Sequence, residues 1–235
     1  MKAVVLCGGK GTRLRPYTHT VPKSMLVLGR KPILQYVVEY LKREGVRDMV
    51  FTVGHMRDQI MGHFKDGKRY GVNIKYAEEE EELGTAGSVL NAQPLVKDED
   101  FLVLMGDQLT SVSLKKLMSY HKEKKAIATV GLKRMGVPLQ FGTVDTRADG
   151  LVTAFREKPI LQYQINSGIY VLNEKAFDYL PEKGDFAMDV FPEMLRKREK
   201  LSGYVFDDYW IDVGNLHDYE RINQTLSLVD LITQK

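Results

Sequence analysis

Close to the N-terminus the chain reads Gly8-Gly9-Lys10-Gly11-Thr12-Arg13-Leu14-Arg15-Pro16, followed by Thr18 and then Pro22-Lys23. Glycines let a backbone pass close to a ligand and aim amide N–H groups at it, while Thr12, Arg13 and Lys23 can donate to phosphate oxygens. No Asp or Glu precedes Glu39, and the same stretch carries Lys2, Lys10, Arg13, Arg15, Lys23, Arg30 and Lys31. This suits a small polyanion. A nucleic-acid duplex would need a basic stripe continuing downstream, and none does, so nucleic acid is not expected as a partner. A solvated basic loop is the simpler account of the charge alone. Two common phosphate motifs do not fit: Leu14 occupies the third glycine of G-x-G-x-x-G, and Gly11 follows Gly9-Lys10 where a P-loop needs Ser or Thr.

The elements that must position these residues alternate between strand and helix. Lys2–Cys7 reads as a buried strand, and Ile33, Val37, Tyr40 and Leu41 as the apolar face of a helix that starts after Pro32 and stops at Gly45. Strands at 49–53, 73–77, 101–105 and 126–132 then alternate with helices at 58–64, 85–92 and 113–124. The pattern predicts a mostly parallel sheet flanked by helices, and ligands in such sheets sit at the carboxyl ends of the strands. After Lys133 the pattern becomes antiparallel, with a hairpin at Ala148-Asp149-Gly150 between segments 141–145 and 151–157, and a strand at 164–172. A helix starting near Glu174, a helix at 189–200, a strand at 204–211 and a closing helix from Leu216 to Leu231 complete the reading. Leu226, Val229 and Ile232 are its packing positions. With no linker or internal repeat, residues 1–235 read as one domain. The five glutamates Glu78 to Glu82 read as a solvated face.

Between Cys7 and the first helix lie about two dozen residues without apolar periodicity, a length that in a compact domain points to function. Together with the spaced N-terminal signature, this segment resembles the sugar nucleotidyltransferase family, the NDP-sugar pyrophosphorylases. The resemblance continues through Leu83-Gly84-Thr85-Ala86-Gly87, Gly106-Asp107, Phe141-Gly142, Glu157-Lys158-Pro159, Asn166-Ser167-Gly168-Ile169-Tyr170 and Trp210-Ile211-Asp212-Val213-Gly214. It implies an α/β, Rossmann-like nucleotide-diphospho-sugar transferase fold. It also implies attack by a sugar 1-phosphate oxygen on the α-phosphorus of a nucleoside triphosphate, with release of pyrophosphate. Arg13 and Lys23 are then the catalytic cations, and Leu6, Gly8, Gly9, Gly11, Thr12, Glu79 and Gly84 contact the nucleotide. Gly142, Glu157, Lys158 and Asn166 hold the sugar phosphate, and Asp107 and Asp212 hold Mg²⁺. Glu82, where many relatives carry proline, and Gln108 depart from the family pattern and bear on the base, not on the reaction. The 83–87 turn resembles that of mannose-1-phosphate guanylyltransferases, so GTP with mannose 1-phosphate is the first reading and UTP or dTTP with glucose 1-phosphate the second.

The parts also have independent physical reasons. An attacking phosphate must be screened from the phosphate it attacks, and Mg²⁺ held by two carboxylates from separate strand ends is a usual means. Asp107 taken alone is equally a turn residue after Gly106, and Asn166 a strand-end turn residue. Trp210 reads as a wall beside Asp212 or as core. A nucleotide-sugar-dependent glycosyltransferase, with Asp98-Glu99-Asp100 as its acidic pair, and an inactive regulatory homologue are the readings from other classes. That acidic run precedes a strand instead of following one, which counts against the first of them.

Composition sets the outer bounds. At 235 residues, 43% hydrophobic and 28% charged with a net charge of +3, the chain is an ordinary globular one. Its mean hydropathy of −0.27, with no apolar run near the roughly 18 residues of a membrane span, predicts no membrane helix. The apolar start is too short for a signal peptide, so a cytoplasmic location is expected. Cys7 is the sole cysteine, which leaves no internal disulfide, and reads as a buried thiol. His19, His55, His63, His121 and His217 show no helical metal spacing. Only about twenty residues follow Gly214, so no C-terminal left-handed β-helix is expected, and assembly into a homo-oligomer stays open.

Overall fold

The computed structural model describes residues 1–96 and 99–233, with side chains as far as residue 225 at the C-terminal end. Asp98 and the side chains of Leu226, Val229 and Ile232 fall outside the described residues. The central sheet has seven strands in the order Leu201–Phe206, Ala128–Pro138, Ile160–Leu172, Phe101–Met105, Lys2–Leu6, Asp48–Val53 and Asn73–Glu78. Every neighbouring pair is parallel except the two made by Ile160–Leu172, which runs against both its partners. The mostly parallel, helix-flanked sheet expected from the β/α alternation is therefore the one that forms.

Central strands buried on both faces are continuous apolar runs. Ala3, Val4 and Val5, like Phe101, Leu102 and Val103, have no solvent exposure. The two-residue side-chain period sorts them. Ala3, Val5, Leu102 and Leu104 join Leu34, Val37, Val38 and Leu41 of the helix Ile33–Arg43 in one core. Val4, Phe101 and Val103 join Ala86 and Val89 of the helix Gly84–Asn91, with Phe186 and Phe191, in the core on the other face.

Several elements differ from the sequence reading. The strands expected at 126–132 and 164–172 continue to Pro138 and begin at Ile160, because they pair residue on residue from Leu132–Asn166 out to Pro138–Ile160. That support comes from the partner strand and leaves no mark on either segment's own periodicity. The resulting two-stranded arm rises past the carboxyl end of Phe101–Met105 and carries the hairpin Thr143–Thr146 and Val152–Arg156. The single strand expected at 204–211 is two, Leu201–Phe206 and Trp210–Asp212, split where the Asp207 and Asp208 carbonyls both accept from Lys133 Nζ at 2.8 Å. The helix expected at 189–200 is Phe191–Arg196, entered through one wide turn at Phe186–Val190. The segment after Glu174 is a 3₁₀ helix to Tyr179, and the closing helix spans Leu216–Thr233. No helix among the described residues is long and apolar enough to cross a membrane.

Phe51 is fully buried and meets Phe64 and Tyr76 edge-on, with ring centroids 5.6 and 6.0 Å away. Phe51→Ala is expected to cost about 3–5 kcal/mol in urea unfolding, and a loss under about 1 kcal/mol would contradict this packing.

Candidate active site

The first strand ends at Leu6, and the chain turns through the glycine segment at the sheet's carboxyl edge. Gly11 is left-handed, with φ 60°, and a Cβ there would meet Lys23 Cβ at 2.9 Å and Thr18 Cγ2 at 3.0 Å. A side chain at position 11 would thus push Lys23 away. Thr18 Oγ1 donates to the Gly11 carbonyl at 2.8 Å, and Leu14 is fully buried beneath the Thr12–Leu14 turn. The expected loop is therefore a folded structure of three short 3₁₀ turns.

Asp107 follows Phe101–Met105 through Gly106, where a Cβ would lie 2.7 Å from Cys7 Sγ and 3.0 Å from the Leu6 carbonyl. The glycine lets this turn pass directly against the first strand. Asp212 arrives by a route that sequence reading missed. Trp210–Asp212 pairs antiparallel with Gln108–Thr110, so Asp212 stands opposite Gln108, and Val213 N–H donates to the Asp107 carbonyl at 3.2 Å. Trp210 anchors this ribbon by donating from Nε1 to the Ser167 carbonyl at 3.0 Å. It is half-buried against the core, so it serves as wall and packing together.

These two segments meet on one cation. The Lys23 ammonium forms a salt bridge with Asp107 and lies 3.9 Å from Asp212 Oδ1. The Asp212 carboxyl is held above the ordinary carboxylate range, first by burial and then by the Asp107 charge, with Lys23 and Arg13 opposing. Lys23 therefore stands on the same side as both aspartates. Two carboxylates from separate segments are an oxygen donor set suited to a hard divalent cation that takes its remaining ligands from phosphate and water. Among the described residues no group of three or more His, Cys, Asp or Glu is placed to hold a metal ion.

A cleft of about 250 Å³ beside this pair is lined by Leu6, Gly8, Gly9, Glu79, Gly84 and Asp107, all singled out from sequence, and by Glu82, Thr85, Ser88, Met105 and Asp185. The two glycines of the 83–87 turn have packing reasons. A Cβ on Gly84 would lie 2.5 Å from the Gly184 carbonyl, and one on Gly87 2.4 Å from that of Glu182. Asp185 was not singled out from sequence. Its only signal there is an acidic residue four before Asp189 at the start of a helix, and its backbone N–H donates to Asp189 Oδ2 at 2.7 Å.

The glutamate tract is not simply a solvated face. Arg57 pairs with Glu78 and Glu80, Lys183 with Glu81, and Lys10 with Glu82. Glu79 alone turns inward: it is 7% exposed, its Oε1 has no hydrogen-bond partner, and its carboxyl lies against Gly8. Burial raises the Glu79 pKa, with the Ser88 and Thr52 hydroxyls pulling the other way. Cys7, buried nearby, has its thiol pushed well up by burial and by the charges of Asp107 and Glu79, which makes it inert.

The residues expected on the sugar side are gathered only in part. Asn166 is at the base of the arm, donating to Tyr170 Oη at 3.0 Å and accepting from Gly168 N–H at 2.9 Å. Gly168 in turn abuts the Gln108 side chain, next to Asp107. Gly142 and Glu157 meet where the arm joins its terminal hairpin, since a Cβ on Gly142 would lie 2.9 Å from Glu157 Oε2. Lys158, next to them, has a left-handed backbone with φ 42°. Six paired strand residues, about 20 Å of chain, separate this group from Asn166. At the other end of Phe101–Met105, Glu99 pairs with the N-terminal amine and Lys2, at the amino ends of the strands.

A family model for nucleotidyl transferases matches residues 2–227. The chain belongs to the nucleotidyl transferase family. Among its family relatives, the D-glycero-alpha-D-manno-heptose 1-phosphate guanylyltransferase of Campylobacter jejuni is 36% identical, over 93% of this chain and 97% of that protein. The UTP–glucose-1-phosphate uridylyltransferase of Synechocystis and the mannose-1-phosphate guanylyltransferase of Mycobacterium tuberculosis are each 35% identical over 93% of this chain. The chain spans only 61% and 62% of those two proteins. The crystal structure of HddC from Yersinia pseudotuberculosis complexed with GMP-PN superposes with a TM-score of 0.77 at 27% identity, covering 95% of this chain and 98% of that one.

Because the folded-state pKa of Glu79 is raised, the stability this carboxyl contributes is fully present below its unfolded value near 4.5 and is lost as pH rises through the folded value. Glu79→Gln is therefore expected to be more stable than the parent at pH 7, with the difference closing toward pH 4. Urea unfolding of both proteins across this range checks it, and equal stabilities at pH 7 would contradict it.

Proposed function

We propose that the protein transfers a nucleotidyl group from a nucleoside triphosphate to a sugar 1-phosphate. An oxygen of the sugar phosphate attacks the α-phosphorus, the bond from that phosphorus to the bridging oxygen breaks, and pyrophosphate leaves. The observation that carries this reading is the convergence of the glycine loop and both aspartates on Lys23. The uridylyl- and guanylyltransferase names of the relatives support the same reaction class.

Each part of the chain then has a task. Backbone N–H groups of Gly8, Gly9, Gly11 and Thr12 hold the triphosphate, beside Leu6 and Gly84. Arg13 and Lys23 stabilise charge developing on the α-phosphate and the departing pyrophosphate, where one preorganised donor contributes about 3 kcal/mol. The incoming phosphate oxygen already carries charge, so no general base is required, and positioning does most of the work. Asp107 and Asp212 would hold Mg²⁺, which when bound screens the two phosphates from one another and polarises the one attacked. Lys23 already offsets part of the charge of that carboxylate pair. Asn166 at the base of the arm, and Gly142, Glu157 and Lys158 further out, are the residues assigned to the sugar 1-phosphate.

The base assigned is guanine, and Glu79 supports it. An ionised carboxylate offers only acceptors, and guanine presents N1–H and the N2 amino group as adjacent donors. Uracil and thymine place one N–H between two carbonyl oxygens, which a carboxylate repels. GTP with mannose 1-phosphate is accordingly the first reading. UTP or dTTP with glucose 1-phosphate is the second, favoured by the Synechocystis relative.

Pyrophosphate release measured over a panel of nucleoside triphosphates and sugar 1-phosphates is expected to be fastest with GTP and a manno-configured sugar. Lys23→Met is expected to lower kcat by about 100- to 1000-fold. Glu79→Gln, whose amide offers one acceptor and one donor, is expected to shift preference toward UTP or dTTP. Binding without pyrophosphate release for every pair would favour an inactive homologue, and a requirement for a further acceptor would favour a glycosyltransferase.

A further inference from the structure

A small hydrophobic core under the phosphate loop joins two distant parts of the chain. Leu14, Leu26 and Leu28 come from the loop, and Val213, Tyr219 and Ile222 from the segment that follows Asp212. Tyr219 holds the loop on both sides of Lys23. Its ring lies against that of Tyr17, with centroids 5.3 Å apart and planes inclined at 57°, and its hydroxyl donates to the Val27 carbonyl at 2.8 Å. One helical turn further on, Asn223 Oδ1 accepts from Gly29 N–H at 3.0 Å, where the chain turns through a left-handed glycine with φ 61°.

The same side chain is tied to Asp212 by a short path. Asn215 opens the helix Leu216–Thr233: its Oδ1 accepts from Asp218 N–H at 2.9 Å and its carbonyl from Tyr219 N–H at 3.1 Å. Gly214 stands between, and a Cβ there would lie 3.1 Å from Asp212 Oδ2, so the carboxylate rests against the chain that leads to the helix. Val213 is fully buried in the shared core while its N–H donates to the Asp107 carbonyl. The loop, the start of the helix and both aspartates are thus braced on one another. Tyr219 itself touches none of the charged groups: its partners are a ring, a carbonyl and aliphatic side chains.

Resting on the function proposed above, we infer that Tyr219 is a positioning residue for the transfer: it braces the loop of residues 17–27 against the helix that follows Asp212 and so keeps the Lys23 ammonium in register with the aspartate pair. A displacement of about 1 Å at a catalytic cation is costly even when its cause lies far from the reacting atoms. Tyr219 acts through Lys23, and this separates it from a residue that merely adds stability.

Tyr219→Phe keeps the ring and removes only the bond to Val27. It is expected to lower kcat for pyrophosphate release about tenfold while changing KM for the nucleoside triphosphate by less than about twofold. In a Lys23→Met background the same substitution should change kcat by less than about twofold, because the group it positions is already gone. Tyr120→Phe is the control. It removes a bond to the Gly203 carbonyl at 3.0 Å, on the outermost strand of the sheet, and should leave kcat within about twofold at a comparable loss of stability in urea unfolding. A brief pulse of acetic anhydride, with Lys23 acetylation read by mass spectrometry in the ligand-free protein, reports the same geometry without turnover. The Lys23 side chain is only 14% exposed, and Tyr219→Phe should raise its labelling about threefold where Tyr120→Phe does not. Equal falls in kcat in the parent and Lys23→Met backgrounds, or Lys23 labelling unchanged by Tyr219→Phe, would overturn the inference. A loss of kcat in Tyr120→Phe as large as that in Tyr219→Phe would likewise overturn it, by assigning both effects to stability alone. Failure of the overall reaction reads out separately, as no pyrophosphate from the parent with any substrate pair, and Lys23 labelling then decides the bracing on its own.

Discussion

Two carboxylates brought together at the edge of a sheet need a positive charge between them, and in this protein Lys23 supplies it. Much of the local architecture serves that contact. Gly11 clears space for the lysine stem, Gly106 lets the Asp107 turn lie against the first strand, and the short ribbon of Gln108–Thr110 with Trp210–Asp212 delivers the second carboxylate. A side chain at either glycine would separate groups that are useful only together. The lysine also eases ligand entry: a pair of aspartates whose charge is partly offset accepts a polyphosphate at lower electrostatic cost than a bare pair.

The rest of the cleft divides its polar work by charge. Cations belong to the glycine loop, where phosphates are held. Of the other carboxylates lining this space, Glu82 pairs with Lys10, whereas Glu79 and Asp185 have no cation partner among the described residues, one buried beside Gly8 and one oriented by Thr85. The neighbouring glutamates are tied by Arg57, Lys183 and Lys10, so the strap that carries Glu79 links the glycine loop to the segment that carries Asp185. Exposed pairs of this kind contribute little energy singly. Their value is in fixing which acidic side chain turns inward.

Most of the parallel sheet was legible because its strands are short apolar runs separated by helices of ordinary period, and the glycine signature marked the strand end that matters. What stayed hidden depends on partners distant in sequence. The arm formed by Ala128–Pro138 and Ile160–Leu172 gains its length from cross-strand pairing, which neither segment advertises alone. The break at Asp207-Asp208 follows from a lysine more than seventy residues earlier in the chain. Asp185 is invisible in sequence because its orientation comes from Thr85, one hundred residues away. Glu79 was named with the nucleotide, but only the fold distinguishes it from the four glutamates around it.

The loop and the aspartate pair are held to engage one and the same triphosphate. The most direct test is calorimetric affinity for a non-hydrolysable GTP analogue, with and without Mg²⁺, in the parent and in Asp107→Asn and Asp212→Asn proteins. Mg²⁺ is predicted to tighten binding in the parent and to have little effect in either variant. A Mg²⁺ dependence identical in all three proteins would contradict it.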